Sequence, residues 1–287
     1  MTIIHKNIGL LSKNNEECLK IAKTIHLWLQ ERGVNSILEK SLADNLGVND
    51  GYSLDQIGVD ADIAIVIGGD GVMLGAARVF CCYPIKLIGI NKGKLGFLTD
   101  LSVNGFLNSL ADLLQGKYSE ESRFLLNMQL IRNNEVIEDE LAMNEVVFHA
   151  NQLAHIINFD VYVDGVLMSN QRADGFIIAS PTGSTAYSLS AGGAILSPDL
   201  DVLILLPMFS HTLSSRPVVI SANKEVKLVV TDVDSRRKIV SCDGQNRFDV
   251  LNGDVISIKK NVNHLILAHT LNYNYFAVLR HKLHWNL

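Results

Sequence analysis

The chain has 287 residues, of which 48% are hydrophobic and 19% charged, and its formal net charge is −5 at pH 7. This length predicts about two domains, with enough apolar residues for two cores. The negative charge balance argues against an extended surface for nucleic acid or anionic membrane. Because the sequence shows neither a secretory leader nor an apolar run near the ~20 residues of a membrane span, we expect a cytoplasmic protein.

Cysteine and histidine spacings give no support to a zinc site. The four cysteines, Cys18, Cys81, Cys82 and Cys242, form no Cys-x-x-Cys pair, and the nine histidines form no His-Glu-x-x-His arrangement. We expect the cysteines to be buried free thiols in a reducing compartment.

The first third of the chain alternates predicted strands and helices. Residues 7–11 are typical of a short strand, residues 14–32 of an amphipathic helix, and residues 34–38 of a second strand. Further strands are predicted at 63–67 and 85–90. The polar stretch between the second and third strands is compatible with a loop that contains a short helix. This order favours a doubly wound parallel sheet.

A glycine-rich turn, Gly68-Gly69-Asp70-Gly71, ends the buried strand that begins at Ile63. Glycines at the carboxyl end of a parallel strand let the backbone approach a phosphate. Asp70 does not suit phosphate binding, because a carboxylate repels phosphate; it indicates a metal ligand or a base that takes a proton from a hydroxyl. The alternative is a tight turn in which Asp70 is the N-cap of a helix over 72–80.

A second glycine-punctuated loop, 91–98, leaves the same predicted sheet edge and carries Lys92 and Lys94, either of which suits phosphate or solvent equally well. A helix is predicted over 102–114, followed by a polar break at 116–123.

From Leu125 onward the pattern changes to short alternating runs. Turn signals separate these runs at Asn133-Asn134, Asp164-Gly165, Asp243-Gly244 and Asn252-Gly253. The sequence therefore predicts an α/β domain over 1–122, completed by a helical tail within 266–287, and a β-rich domain over 123–265.

Two polar pairs stand before apolar strands in the second domain. Asn144-Glu145 places an amide beside a carboxylate, a combination that can read a base edge and ribose hydroxyls together; the alternative is a simple turn. Arg172 and Asp174-Gly175 precede the next apolar run.

A run of small hydroxyl and glycine residues spans 180–193. It contains Thr185, Ala186, Tyr187 and Ser190. Such a run offers many donors with little bulk, as the close approach of a nucleotide requires. A helix start capped by Ser180 or Thr182 explains only two of these hydroxyls.

Two later loops carry further polar groups. In 207–217, His211 and Arg216 either reach an anion or fix the loop between its prolines, and we favour the second role. Asp243-Gly244 predicts a hairpin turn, with Gln245 just past it.

In this order, the motifs resemble the NAD kinase family. The matching segments are the turn at 68–71, the loop at 91–97, Asn144-Glu145, Asp174-Gly175, the block at 181–187 and Asp243-Gly244-Gln245. The resemblance covers nearly the whole chain, and the loop at 207–217 is similar to the proteobacterial form. It implies an N-terminal doubly wound parallel sheet domain followed by a β-rich C-terminal domain.

The resemblance also implies an activity: transfer of the γ-phosphate of ATP to the 2′-hydroxyl of the adenosine ribose of NAD, giving NADP, with a divalent cation such as Mg²⁺. Asp70 would be the general base, and Gly68 and Gly69 would form the phosphate loop. The residues implied to bind NAD are Gly71, Phe97, Asn144, Glu145, Arg172, Asp174, Thr185, Ala186, Tyr187, Ser190 and Gln245. A homodimer or homotetramer is implied, with NAD sites shared between subunits and Asp174 acting across that interface.

Val72 departs from the family pattern, which commonly has threonine there. Without that hydroxyl, a direct role of position 72 in contacting phosphate or metal is in doubt, whereas Asp70 is unaffected. The basic residue Arg172 implies a preference for NAD over NADH and for ATP over polyphosphate. No separate motif identifies the residues that hold ATP or the metal.

Two other functions are compatible with parts of the sequence. Lipid kinases of the diacylglycerol type share the Gly-Gly-Asp-Gly turn, but they lack the block at 181–187, and this acidic chain does not indicate a membrane-facing surface. A catalytically silent nucleotide sensor would keep the pocket without turnover. Asp70 argues against it, because a protein that only binds gains nothing from a carboxylate beside phosphate.

Overall fold

The computed structural model describes residues 3–91, 96–102, 105–151, 156–211, 214–231 and 237–285. The chain divides into two compact units: unit 1 comprises residues 1–122 and 264–287, and unit 2 comprises residues 123–263. The predicted loop lysines Lys92 and Lys94 lie outside the described residues.

Unit 1 begins with alternating strands and helices. Its elements up to residue 114 are β1 (Asn7–Ser12), α1 (Glu16–Gln30), β2 (Asn35–Leu38), α2 (Lys40–Leu46), α3 (Leu54–Asp60), β3 (Ile63–Ile67), α4 (Asp70–Phe80), β4 (Lys86–Asn91), β5 (Leu101–Ser102) and α5 (Phe106–Leu114). The parallel strands lie in the order β2-β1-β3-β4, which confirms the predicted parallel sheet. Their carboxyl ends therefore meet at one edge.

Helix α1 has the amphipathic pattern that the sequence predicts. The Asn15 side chain accepts a hydrogen bond from the Cys18 backbone N–H at 2.9 Å and so caps the helix. Residues three or four apart, such as Ile21, Ile25 and Leu29, are buried on one face. The helix packs that face against the sheet core.

Several predicted boundaries in unit 1 were wrong. The stretch between β2 and β3, whose structure the sequence does not settle, holds two short helices. Helix α5 begins at Phe106 rather than residue 102, because residues 101–102 pair with β4 and Gly105, at φ +80°, precedes the helix. The predicted polar break at 116–123 is wrong beyond residue 118, where a strand begins at Ser119. The first four residues of that strand are polar and mostly exposed, which is the composition of a loop.

Unit 2 consists mainly of strands. The strands that follow are β6 (Ser119–Arg132), β7 (Glu135–Ala142), β8 (Glu145–Ala150), β9 (Ile157–Val163), β10 (Val166–Ala173), β11 (Gly175–Ala179), β12 (Val202–Met208), β13 (Val218–Ser221), β14 (Val226–Val230), β15 (Lys238–Cys242), β16 (Asn246–Val250) and β17 (Val255–His269). A 3₁₀ turn (Thr182–Thr185) and the short helix α6 (Tyr187–Ser190) follow β11. The last helix, α7 (Tyr275–Leu283), belongs to unit 1.

The strands of unit 2 pair antiparallel. One sheet has the order β13-β12-β11-β8-β15-β16, and a second group has the order β10-β9-β14 followed by the first part of β17. Phe148, Phe159 and Phe176 meet edge to face in the core, with ring centroids 5.4 and 5.7 Å apart. The β-rich prediction is confirmed.

The hairpin turns follow the predicted turn chemistry. Asn133-Asn134, Asp164-Gly165 and Asp243-Gly244 each place two successive residues at positive φ between paired antiparallel strands. This is the geometry of the type I′ turn, which matches the twist of the strands it joins.

Two further features concern the composition. Cys18, Cys81 and Cys242 are buried free thiols, but Cys82 is exposed, so the expectation of burial was wrong for that residue. Among the residues that the structure describes, no helix combines the length and the apolar character needed to cross a bilayer.

Candidate functional site

The glycine turn, Gly68–Gly71, lies where β3 passes into α4. All five residues of β3 are buried, so the strand is held on both faces and its carboxyl end is fixed. The Gly68 N–H donates to the Ile90 carbonyl at 2.9 Å, which ties the turn to β4. The first turn of α4 therefore starts from a fixed point.

Asp70 is the first residue of α4, and its carboxylate accepts two backbone hydrogen bonds from a neighbouring loop. The Phe97 N–H donates to Oδ2 at 3.2 Å, and the Leu98 N–H donates to Oδ1 at 3.3 Å. The N-cap of α4 is Gly69, without a side-chain hydrogen bond. The alternative in which Asp70 caps the helix is therefore wrong, since the carboxylate contacts residues 27 and 28 positions away.

Two glycines let the loop at 96–99 lie against Asp70. A Cβ atom at Gly96 would collide with the Asp70 carboxylate and with the Thr99 hydroxyl. A Cβ atom at Gly89, in β4, would lie 2.6 Å from the Thr99 methyl carbon. In contrast, a Cβ atom at Gly69 meets nothing within 4 Å. The space beside Gly69 is open, whereas the space beside Gly96 is filled by the carboxylate.

In unit 2, the turn at 143–145 is held by a carboxylate from a distant hairpin. Asp243 Oδ2 accepts from the Met143 N–H at 3.0 Å, and Oδ1 accepts from the Asn144 and Glu145 N–H groups at 2.7 and 3.3 Å. The Asp243 N–H returns a hydrogen bond to the Glu145 carbonyl at 3.0 Å. The Asp243-Gly244 pair is thus a hairpin turn and also an anchor for Asn144-Glu145.

The hydroxyl-rich segment packs directly on the same turn. Ser180 donates its Oγ–H to the Met143 carbonyl at 2.6 Å, and its N–H donates to the Asn144 carbonyl at 2.9 Å. A Cβ atom at Gly183 would collide with the Asn144 backbone. Ser180 also accepts from the Gly183 N–H at 3.2 Å, as a cap does. The N-cap of the 3₁₀ turn is nevertheless Pro181 and that of α6 is Ala186, neither with a side-chain cap hydrogen bond, so the alternative in which Ser180 or Thr182 caps the helix start is wrong.

Two other hydroxyls of the segment tie it to the rest of unit 2. The buried Ser184 hydroxyl donates to the Pro181 carbonyl at 2.6 Å and accepts from the Leu196 N–H at 3.0 Å. The Thr182 hydroxyl accepts from the buried Arg123 guanidinium at 3.1 Å. These hydrogen bonds fix the backbone that leads to Tyr187.

A cavity of about 420 Å³ opens beside these elements in unit 2. Its polar lining includes Glu145, His149, Asp174, Tyr187, Ser241 and Arg247. This size suits part of a nucleotide or another small ligand. The lining offers carboxylates that accept hydrogen bonds from hydroxyls, a cation, and an exposed aromatic ring for stacking.

The buried Glu145 is the most perturbed acid of the cavity. It is 5% exposed, and its Oε2 has no hydrogen-bond partner among the described residues. Burial, together with the negative charge of Asp243, raises the pKa of Glu145 to about 8, although a hydrogen bond from the Tyr187 backbone opposes the shift. Glu145 is therefore largely protonated at neutral pH in the free protein.

The predicted site residues fall into distinct places. Glu145, Asp174 and Tyr187 line the cavity. Phe97 lies in unit 1 and reaches Asp70 through its backbone N–H. The other residues predicted to bind NAD are not among those that line the cavity: Gly71, Asn144, Arg172, Thr185, Ala186, Ser190 and Gln245.

Several residues that line the cavity were not predicted from the sequence, among them the polar residues His149, Asn151, Ser241 and Arg247. His149 follows Glu145 and Val147 on one face of β8, as the alternation of a strand requires. Ser241 on β15 pairs with Val147 and with Arg247 on β16, which makes a row across three strands. The alternation of β8 could have identified His149. The places of Ser241 and Arg247 at the cavity could not be predicted in this way, because they depend on the register between strands that are distant in the sequence.

The described residues contain no group of three or more His, Cys, Asp or Glu side chains that could hold a metal ion. A magnesium ion typically keeps several waters and binds through one or two carboxylates and substrate phosphates.

Family models and relatives agree on one family. The model of the ATP-NAD kinase N-terminal domain matches residues 2–118, and that of the ATP-NAD kinase C-terminal domain matches residues 143–270. The chain is 50% identical over 284 residues to the NAD kinase of Aeromonas salmonicida, which covers 98% of this chain and 97% of the relative. It is 47% identical over 281 residues to the NAD kinase of Shewanella piezotolerans, with 97% and 91% covered.

Solved structures show the same fold. The yeast NADH kinase complexed with NADH superposes with a TM-score of 0.87 at 23% identity, covering 98% of this chain and 88% of that chain. An NAD kinase from Archaeoglobus fulgidus in complex with ATP gives a TM-score of 0.72 at 25% identity, with 97% and 98% covered.

Proposed function

This chain belongs to the ATP-NAD kinase family, and from that membership we infer that it is an NAD kinase. It transfers the γ-phosphate of ATP to the 2′-hydroxyl of the adenosine ribose of NAD and produces NADP and ADP. The structural observation that carries the assignment is the Asp70 carboxylate, held by two backbone amides at the carboxyl end of a buried parallel strand. That group supplies what phosphoryl transfer to an alcohol needs besides alignment: a base for the hydroxyl proton.

We assign Asp70 the role of general base. A carboxylate offers about four acceptor positions, and the Phe97 and Leu98 amides occupy two of them. The remaining lone pairs are available to the 2′-hydroxyl. As the hydroxyl oxygen attacks the γ-phosphorus, its proton passes to Asp70, and the bond between that phosphorus and the bridging oxygen of ADP breaks.

We assign the unit 2 cavity to the NAD substrate. A carboxyl oxygen of Glu145 would accept a hydrogen bond from a ribose hydroxyl, and Asp174 would bind a second polar group. The half-exposed Tyr187 ring would stack on a base. The family pattern supports further direct contacts to NAD. Four of the residues concerned lie in or beside the turn and the loop that shape this region: Asn144, Thr185, Ala186 and Ser190. The others are Gly71, Phe97, Arg172 and Gln245.

We propose ATP as the phosphate donor, since a family member from Archaeoglobus fulgidus is known in complex with ATP. The open space beside Gly69 leaves room for a phosphate chain close to the backbone. Mg²⁺ would enter with the ATP phosphates and neutralise charge that develops on them. Val72 replaces the threonine that is common in the family, so its side chain offers no hydroxyl to that cation.

The first experiment is an assay for NADP formation from NAD and magnesium-ATP, with diacylglycerol in place of NAD as a parallel arm. We expect NADP from the native protein and no product in the lipid arm. NAD that binds by calorimetry without any turnover would instead support the sensor function, and phosphorylated lipid would support the lipid kinase.

Asp70→Asn tests the general-base role in the same assay. We expect roughly 10²- to 10⁴-fold loss of kcat, with the Kd for NAD unchanged by calorimetry. Turnover of this variant near the native rate would show that Asp70 is not the base.

A further inference from the structure

A buried histidine outside both sites lies between two carboxylates in unit 1. His269, at the end of β17, is 2% exposed, and its Nε2 lies 2.9 Å from Glu121 Oε2. Its Nδ1 faces Asp100 Oδ2 at 3.8 Å, which is an ion-pair rather than a hydrogen-bond distance. The ring stacks on Tyr273 with centroids 3.7 Å apart and planes 9° apart.

This arrangement favours the charged form of the ring. A neutral imidazole carries one N–H, so one of its nitrogens would present a lone pair to a carboxylate. The imidazolium carries an N–H at both nitrogens and suits both partners. Burial opposes the charge and by itself lowers the pKa of His269, but Asp100 and Glu121 together outweigh it and raise the pKa above its ordinary value.

Asp100 connects this histidine to the loop that holds Asp70. Its carboxylate also accepts from the Thr270 N–H at 2.6 Å, so it is anchored to the backbone beside His269. The preceding residue, Thr99, accepts hydrogen bonds from the Gly96 N–H at 3.0 Å and from Asn91 Nδ2 at 3.3 Å. The loop at 96–100 is thus closed by the hydrogen bond between Gly96 and Thr99 and anchored at its carboxyl end by Asp100. The amides that reach Asp70 belong to the two residues between Gly96 and Thr99.

We propose that His269 is a positioning residue for Asp70: by holding Asp100, its imidazolium keeps the Phe97 and Leu98 amides where they orient the catalytic carboxylate. This inference rests on the proposed role of Asp70 as general base. In this role, His269 contacts no reacting atom. A displacement of about 1 Å at a reacting group can cost on the order of 10²-fold in rate, so a distant anchor of this kind has a measurable effect.

His269→Gln removes the charge, and Asp100→Asn removes the opposite charge while its amide oxygen still accepts from Thr270. For each variant we expect kcat to fall roughly tenfold or more, with the KM for NAD within about twofold of the native value. His281→Gln, at an exposed position of α7, is the matched control and should leave both constants unchanged. A rise in KM with kcat unchanged would overturn the proposal.

The pH profile separates positioning from a purely structural role. The described groups that face His269 are Asp100 from the loop, Glu121 from β6 and Tyr273 from the segment after β17. As pH rises through the raised pKa of His269, the ring loses its charge and its hold on Asp100, so the native kcat should fall on the alkaline side. His269→Gln should lack this alkaline fall, and an identical fall in both proteins would overturn the proposal.

A double-mutant comparison shows whether His269 acts through Asp70. If it does, adding His269→Gln to Asp70→Asn should reduce the residual kcat by no more than about twofold, because the group that it positions is already gone. A full additional loss in that background would overturn the proposal. If Asp70→Asn itself keeps native turnover, the general-base role fails, whereas an inert His269→Gln beside an inactive Asp70→Asn contradicts only the present inference.

Discussion

A methyl group at position 96 has no room beside the Asp70 carboxylate, whereas one at position 69 meets nothing within 4 Å. Gly96→Ala should therefore displace either the carboxylate or the loop, and we expect roughly 10²-fold loss of kcat. Gly69→Ala should leave the free energy of unfolding within about 0.5 kcal/mol of the native value but raise the KM for ATP, since it fills the space proposed for phosphate. Steady-state kinetics and urea unfolding of the pair check this contrast. Equal losses of kcat in both variants would contradict it.

Glu145 makes stability depend on pH in a direction opposite to that of most carboxylates. Its pKa rises from an ordinary value near 4.5 to about 8 on folding, so the folded state holds a proton that the unfolded state releases between these values. The native protein therefore loses stability as pH rises across this window. Glu145→Gln has no such proton, and its Tm relative to the native protein should increase from pH 5 to about pH 8 and then level off. A Tm difference that is constant across pH would show that the carboxyl titrates normally.

At the scale of elements, Asp243 in the β15–β16 turn anchors residues 143–145, whereas the aspartate of the β9–β10 turn has no such role. Asp164, like Asp243, occupies a type I′ turn at positive φ, but it is exposed and contacts Lys224 and Glu225. Asn tolerates positive φ, so Asp243→Asn keeps the turn while removing the acceptor of the Met143 N–H. We expect a loss of about 1–3 kcal/mol in the free energy of unfolding and a higher KM for NAD.

Asp164→Asn is the matched control for that substitution. It changes the same residue type in the same turn geometry, and its amide oxygen can still accept from the Glu225 N–H. The interaction that it loses is an exposed ion pair with Lys224, which contributes little. Denaturant unfolding should place it close to the native protein. A loss as large as that of Asp243→Asn would mean that the local turn, rather than the hold on residues 143–145, causes the effect.

The elements also show what a sequence can indicate about a site. The strand at 63–67, the glycine turn and the hairpins were predictable, because buried strands and type I′ turns have local residue signatures. The contacts of Asp70 with Phe97 and Leu98 were not, since they join residues 27 and 28 positions apart through a loop. The anchor from Asp243 to Asn144 spans 99 positions and has no local signature.

At the scale of the molecule, two segments cross the division between the units. Strand β17 begins in unit 2 and ends in unit 1, where Ile266 pairs with Lys86 of β4. β6 likewise starts in unit 1 and continues into unit 2. The change in periodicity near Leu125 indicated two domains. Because β17, a strand of 15 residues, belongs to both units, no change in composition marks the residue at which the chain passes from one unit to the other.

The rim of the unit 2 cavity bears on the homodimer or homotetramer that the family resemblance implies. Phe209 and Tyr187 both line the cavity, and they are 81% and 47% exposed. A contiguous apolar patch at a surface marks an interaction site, and we hypothesise that these two side chains belong to such a patch. If a second copy covers this rim, sedimentation velocity should give two or four times the chain mass of 31.6 kDa. Specific activity should also fall on dilution, because the site becomes incomplete as subunits separate.

Phe209→Ala tests whether the cavity rim contributes to association. It should shift the population toward monomer and raise the KM for NAD, because the same surface would serve assembly and substrate binding. Phe276→Ala is the matched control: Phe276 is 62% exposed on α7, in the other unit, and its loss should change neither quantity. A native protein that sediments as a monomer at every concentration, with constant specific activity, would show that each chain completes its own site. In that case the exposed ring of Phe209 would act on bound NAD within one chain, and its substitution would raise KM without changing mass.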